Sequence, residues 1–122
     1  MRPDGRFFVA SPRTFAAMYP FGYTFGMRFE WDDAKNVANR RKHGVSFETA
    51  RLVFDDPCAI SIQDRNDNGE EPWQTIGRAG GTIILLVAHT VRDDDARQEI
   101  IRIISARKAT PRERRVYEHN HR

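Results

Sequence analysis

Cysteine occurs once in the 122 residues, at Cys58, so no intramolecular disulfide can form. That usage fits a reducing compartment. Long apolar runs are also missing. The longest, residues 83–88, falls far short of the roughly 20 residues that a membrane-spanning helix needs. The start of the chain has no continuous apolar segment of the signal-peptide kind. The expectation is a cytoplasmic protein with no membrane partner. Cys58 follows Asp56 and Pro57 with no basic neighbour to lower its thiol pKa, so it reads as a half-buried structural residue rather than a nucleophile.

Metal-ligand patterns are sparse as well. Residues 64–69 match the opening of a calcium loop, but the twelfth position is Thr75, where a bidentate glutamate is required. The segment therefore reads as a polar hairpin loop. Asp93, Asp94 and Asp95 are adjacent, and neighbouring acids in a turn diverge. No metal and no other cofactor is expected.

What the chain does hold is one core's worth of apolar residues (39%) and abundant charge (30%). Its length suits a single compact domain. The net charge is only +3, but it is unevenly spread. Residues 64–95 carry three basic and seven acidic side chains; residues 96–122 carry eight basic and three acidic. Basic charge concentrated at one end suits an anionic partner such as nucleic acid, or a solvated helix face. Residues 1–26 hold seven aromatics among Gly, Pro and Ser with no persistent period. They read as a poorly ordered N-terminal extension to a domain over residues 27–122.

Patterning after Met27 is clearer. Residues 29–31 suggest a short strand. Asp32 caps a helix that Gly44 stops in the left-handed region. Ser46 caps a second helix, ended near residues 55–57. Strand signals follow at residues 59–62, 73–79, 82–91 and 99–107, with Gly80 and Gly81 as a hairpin turn. Thr110, Pro111 and Glu113 form a helix-start signature for a last helix to about Glu118. The expected fold is α+β: two N-terminal helices packed on a twisted antiparallel sheet of about four strands, plus a short C-terminal helix.

Arginines carry the candidate site. Arg78 ends one strand, Arg102 lies inside another, and Arg107 ends it. An arginine within an apolar strand needs a carboxylate or an outside anion. Regular alternation puts Arg102 with Ile100 and Ile104, and Arg107 on the opposite face with Ile101 and Ile103. Arg107 and Lys108 adjoin the start of the last helix, whose amides favour anions. Guanidinium groups bind phosphate bidentately and stay charged at any working pH, so this stretch reads as a phosphate cradle. The competing reading pairs the arginines internally, with Glu113 or Glu99. His89 lies near the end of the central strand on the face of Ile83, Leu85 and Val87, where a satisfied, partly buried imidazole and a general acid or base are both open readings.

Four stretches resemble the BrnT family of bacterial toxins: "FEWDDAKNVANRRKHGVSFETARLVFDDP", "TIGRAGG", "LLVAHTVR" and "RIISARKATPRERRVYE". The likeness runs from residue 27 to about 118; the aromatic arm before Met27 and the acids of "VRDDDARQEIIRI" depart from it. The resemblance implies a RelE-like fold and a metal-independent endoribonuclease toxin that cleaves RNA and inhibits translation. It also implies a BrnA-like ribbon-helix-helix antitoxin as partner, with operator DNA bound only through that antitoxin. On this reading Arg78, Arg102 and Arg107 clamp the reacting phosphate and His89 moves the proton. Lys108, Tyr117 and Arg92 hold RNA, Tyr117 by stacking. The alternative is a non-catalytic nucleic-acid-binding or protein-interaction module. Residues 1–26 are either part of the natural protein or the product of an upstream start codon with Met27 as the natural start; the mass of the native protein decides, since the second case gives a chain lacking residues 1–26.

Overall fold

The structure, a computed structural model, describes residues 8–10, 27–63, 72–93 and 99–120. Strand β1 is Phe8–Ala10 and β2 is Met27–Glu30. Helix α1, Asp33–His43, starts on Asp32, whose carboxylate accepts from the Lys35 amide (3.0 Å). It stops at Gly44, which has φ 74°, a conformation that costs a residue with a Cβ. Both helix ends thus fall where their signals lie.

The second helix is shorter than the sequence suggests. Ser46 caps α2, Phe47–Ala50, after which the chain tightens into a 3-10 turn, Arg51–Asp55. Phe47, Ala50, Val53 and Phe54, which recur at helical spacing along this stretch, are all buried. Strands β3 (Ile60–Gln63), β4 (Trp73–Arg78), β5 (Ile84–Asp93) and β6 (Glu99–Lys108) follow, and then α3, Pro111–Asn120.

The sheet is mixed and six-stranded, ordered β1-β3-β4-β5-β6-β2. This corrects the expectation of about four antiparallel strands. β2 lies parallel to β6, and β1, from the N-terminal extension, pairs with β3. Neither pairing leaves a local sequence signal, because edge strands this short carry almost no periodicity. The remaining residues of the extension, the 64–71 loop and residues 94–98 lie outside the described residues.

The helices divide between the two faces. α1 and α2 cover one face, over a core that includes Leu85, Val87, Ile101 and Ile103. α3 covers part of the other, where Tyr117 packs among Ile60, Ile76, Ile84 and Leu86. Gly77 faces the first core, where a Cβ would lie 2.8 Å from Val53 Cγ1. Only the absence of a side chain lets the 3-10 turn sit this close to β4.

β6 carries an irregularity with consequences. Its register with β5 shifts between Ala88 and His89: Ala88 faces Ser105 and His89 faces Ile103, leaving Ile104 as an extra residue. Such a bulge reverses the alternation beyond it. Beside it Asn39, from α1, binds the open edge of β6. Its Nδ2 donates to the Ala106 carbonyl (2.8 Å) and its Oδ1 accepts from the Ala106 amide (3.1 Å). Nδ2 also donates to the Val45 carbonyl (2.9 Å). Asn39→Ala strands buried backbone groups, so unfolding in urea should show a loss of roughly 2–4 kcal/mol.

Candidate nucleic-acid interface

The strand register decides which arginines share a face. Arg102 is opposite Thr90, and Arg107 is opposite Leu86. Both partners lie on the α3 side, alternating with Leu85, Val87 and His89 on the other. Without the bulge, Arg102 and Arg107 would project from opposite faces. With it, both project from the α3 face. Arg92, in register with Ile100, and Arg78, in register with Ile84, join them there. Glu30 joins as well, as the register neighbour of Arg102.

The four arginines form two groups rather than one clamp on a single phosphate. Arg107 sits at the start of α3. Its guanidinium donates twice to Glu113, Nη1 to Oε1 at 2.9 Å and Nη2 to Oε2 at 3.0 Å, and once to the Lys108 carbonyl at 3.3 Å. Glu113 also closes the capping box: it accepts from the Thr110 amide (2.9 Å), and its own amide donates to Thr110 Oγ1 (3.1 Å). The anion position of the expected cradle is thus taken by the protein's own carboxylate. The Arg107 hydrogen bond holds Glu113 below the usual carboxylate range, and Glu113 in turn raises the guanidinium pKa. A guanidinium has five N–H groups, so two on Arg107 have no partner among the described residues.

Arg78 lies across β5 from Arg107. Two strand spacings and two residues of offset put their Cα atoms roughly 12 Å apart. The Arg78 guanidinium stands 6.0 Å from the centroid of the Tyr117 ring, a cation–π arrangement. Beneath them Asp56 gathers three donors: the Tyr117 hydroxyl (2.7 Å), the Arg78 amide (2.8 Å) and the Cys58 amide (2.9 Å). Asp56 was read in the sequence only as a helix stop, because its partners lie up to 61 residues away.

The second group is Arg92, Arg102 and Glu30. Arg92 donates to both Glu30 oxygens (2.8 and 3.3 Å), and Arg102 donates to Oε2 (3.2 Å). The hydrogen bond from Arg92, more than any other contact, keeps Glu30 below the normal carboxylate range. Sequence reasoning missed Glu30 because its role follows from the parallel pairing of β2 with β6.

Three expected site residues stand elsewhere. His89 is 0% exposed and on the opposite face. Its Nε2 is 2.7 Å from Thr75 Oγ1, which is 2.7 Å from Ser61 Oγ, and its ring meets Phe54 edge-on. Burial pushes its pKa down to about 3, with the Thr90 backbone opposing weakly. An imidazole sealed there and neutral reaches no substrate, so it is a core residue, not a proton shuttle. Tyr117 is 1% exposed, and burial followed by the bond to Asp56 raises its hydroxyl to about 12. Its covered ring anchors α3 instead of stacking on a base. Lys108, opposite Leu85, leaves from the helix side at the exposed end of β6. Glu99, which burial and then the charge of Asp93 raise to about 7, also belongs to that side, with its register partner Met27.

The protein is thus an α+β chain with arginines gathered on one face of its sheet. A family model for the ribonuclease toxin, BrnT, of type II toxin–antitoxin systems matches residues 31–113. The chain belongs to this family, and that membership implies an antitoxin partner. The fold is similar to that in the 1.1 Å crystal structure of the Brucella abortus ribonuclease toxin, BrnT, at 23% identity and a TM-score of 0.50. That match covers 69% of this chain and 97% of the other. A search of curated proteins finds no significant match. Among the described residues no helix is long and apolar enough to cross a membrane.

His89 leaves a pH signature. Above its ordinary value of 6.5 both the folded and unfolded states are neutral and it has no effect. Between 6.5 and about 3 only the unfolded chain takes the proton, so stability falls as pH falls, by about 1.4 kcal/mol per unit at most. The difference in unfolding free energy between wild type and His89→Gln should therefore shrink as pH drops through that window.

Proposed function

We propose that the chain is an endoribonuclease toxin whose reacting phosphate sits on the α3 face at Arg107, with Arg78 on its other side. The observation that supports this is the shared face: the bulge at Ile104 turns Arg107 to the side that carries Arg78, Arg92 and Arg102. A pure solvation role does not call for four guanidiniums along one side of a sheet.

The chemistry follows from their charge. The ribose 2′-oxygen bonds to the adjacent phosphorus and the bond to the 5′-oxygen breaks. Negative charge builds on the phosphorane oxygens between those steps, and fixed guanidiniums stabilise it without reorganising. With His89 buried, water takes the 2′ proton and protonates the departing 5′-oxygen. Arg107 and Arg78 are the phosphate clamp, Asp56 and Tyr117 set the position of Arg78, and Glu113 orients Arg107. No metal takes part in this scheme. Cleavage of cellular RNA in the cytoplasm inhibits translation, and a BrnA-like ribbon-helix-helix antitoxin neutralises the toxin and carries the pair to operator DNA.

The burial of His89 and the placement of Glu99 on the helix side favour a second reading. Both groups lie away from the arginine face, as a face that binds nucleic acid or an acidic protein without cutting would allow. Cleavage decides between the two. Purified protein should cut RNA in the presence of EDTA, leave 5′-hydroxyl ends, and spare a strand with a 2′-deoxy sugar at the cut site. Arg107→Ala should lower the rate by about 100-fold or more and relieve growth arrest on induction. Binding without cleavage by the wild type would leave the second reading.

A further inference from the structure

The arginine face of the sheet is built in cross-strand rows, whose order the register fixes. One row holds Ile76, Leu86 and Arg107. The next holds Gln74, Ala88 and Ser105, and the one beyond holds Thr90 and Arg102. Successive rows stand about 7 Å apart, two residues along each strand. The apolar cluster beneath α3 reaches Ile76 and Leu86 and includes no member of the Gln74 row. Gln74 is exposed, and Ala88 and Ser105 are half-buried. The middle row therefore lies open beside α3, with a guanidinium-bearing row on either side.

The bulge at Ile104 assembles this row as it does the next. Regular alternation from Arg102 would send Ser105 to the helix side; the extra residue turns it, with Arg107, to this one. Gln74 and Ser105 flank Ala88 on neighbouring strands, two strand spacings or about 10 Å apart. Between them only a methyl group rises from the sheet, which leaves room for one flat ring. The Gln74 carboxamide and the Ser105 hydroxyl have no hydrogen-bond partner among the described residues. A carboxamide offers two donor hydrogens and an acceptor, and a hydroxyl offers one donor and accepts. Those are the groups that read the edge of an unpaired base.

We infer that Gln74, Ala88 and Ser105 form a nucleobase subsite for one unpaired base of the RNA whose phosphate lies at Arg107. The Ala88 methyl group is its floor, and the Gln74 carboxamide and Ser105 hydroxyl read its edge. This rests on the reading of Arg107 above and adds a base preference to it. Phosphate contacts hold a strand without reading it, and base-edge contacts supply the sequence dependence. The substrate is single-stranded at this position, because a base stacked and paired in a helix cannot lie on a sheet.

The test is binding of 2′-O-methyl trinucleotides, which lack the attacking hydroxyl, with each base in turn replaced by an abasic sugar. The measured quantity is the ratio of intact to abasic affinity, in which the phosphate contacts cancel. At one position the wild type should lose about tenfold without the base. Ala88→Leu fills the floor and should bring that ratio to about one. Gln74→Ala should lower it several-fold. Gln74→Glu keeps the shape but removes the donors, so preference should move toward the amino-bearing edge of cytosine. If Ala88→Leu fails to fold, the two variants at exposed Gln74 carry the test. A wild-type ratio near one at every position, or a ratio that no variant moves, overturns the subsite; so does a face that binds only an acidic protein. Cleavage of the all-ribose strand is scored separately. If the wild type leaves it intact while the ratio behaves as expected, the nuclease reading falls and the subsite stands. If it cuts with a ratio near one, the reverse holds.

Discussion

The Asn39 carboxamide does the work of a missing strand. β2 pairs with β6 only as far as Arg102, so the backbone of Ala106 would otherwise meet the α1 side with its amide and carbonyl unpaired. Asn39 supplies an acceptor and a donor in the geometry of a peptide group. It ties α1 to β6 next to the irregularity at Ile104. Everything on the opposite face depends on that strand segment holding its position, because the bulge decides that Arg107 emerges there. A slip of one residue would return Arg107 to the helix side, where an unpaired guanidinium is costly to bury.

The face so produced is basic but largely self-neutralised. Glu113 holds Arg107, and Glu30 holds Arg92 and Arg102. These contacts fix the orientation of side chains that would otherwise sample many rotamers, which lowers the entropy lost when an anion binds. The same carboxylates oppose that anion. For an anion docking there, the arrangement trades affinity for order. Tyr117 and Asp56 add a second kind of order. The buried Tyr117 and the half-buried Asp56, hydrogen-bonded together, seat α3 against the sheet and place the Arg78 guanidinium over an aromatic ring.

Local chemistry was legible in the sequence. Asp32, Ser46 and Thr110 each begin a helix, and Gly44 ends one, because a cap depends on a handful of adjacent residues. The apolar run of β5 marked the central strand. Glu113 was one of two named partners for an arginine, and it is the partner of Arg107. The failures lie where a distant contact decides. β2 was visible as a strand but not as a parallel neighbour of β6. His89 sits on the face expected of it, yet its complete burial depends on Phe54 and Thr75. The covered ring of Tyr117 depends on Ile60 and Ile76.

Composition and patterning by themselves determined an α+β chain and where its helices begin, and the quoted motifs carried the likeness to the BrnT family. They could do so because capping, periodicity and charge are properties of neighbours along the chain. Only the tertiary structure decided which arginines stand together and which carboxylate each one meets. The face an arginine takes depends on strand register, and register depends on a bulge held by an asparagine 67 residues away from the alanine it binds.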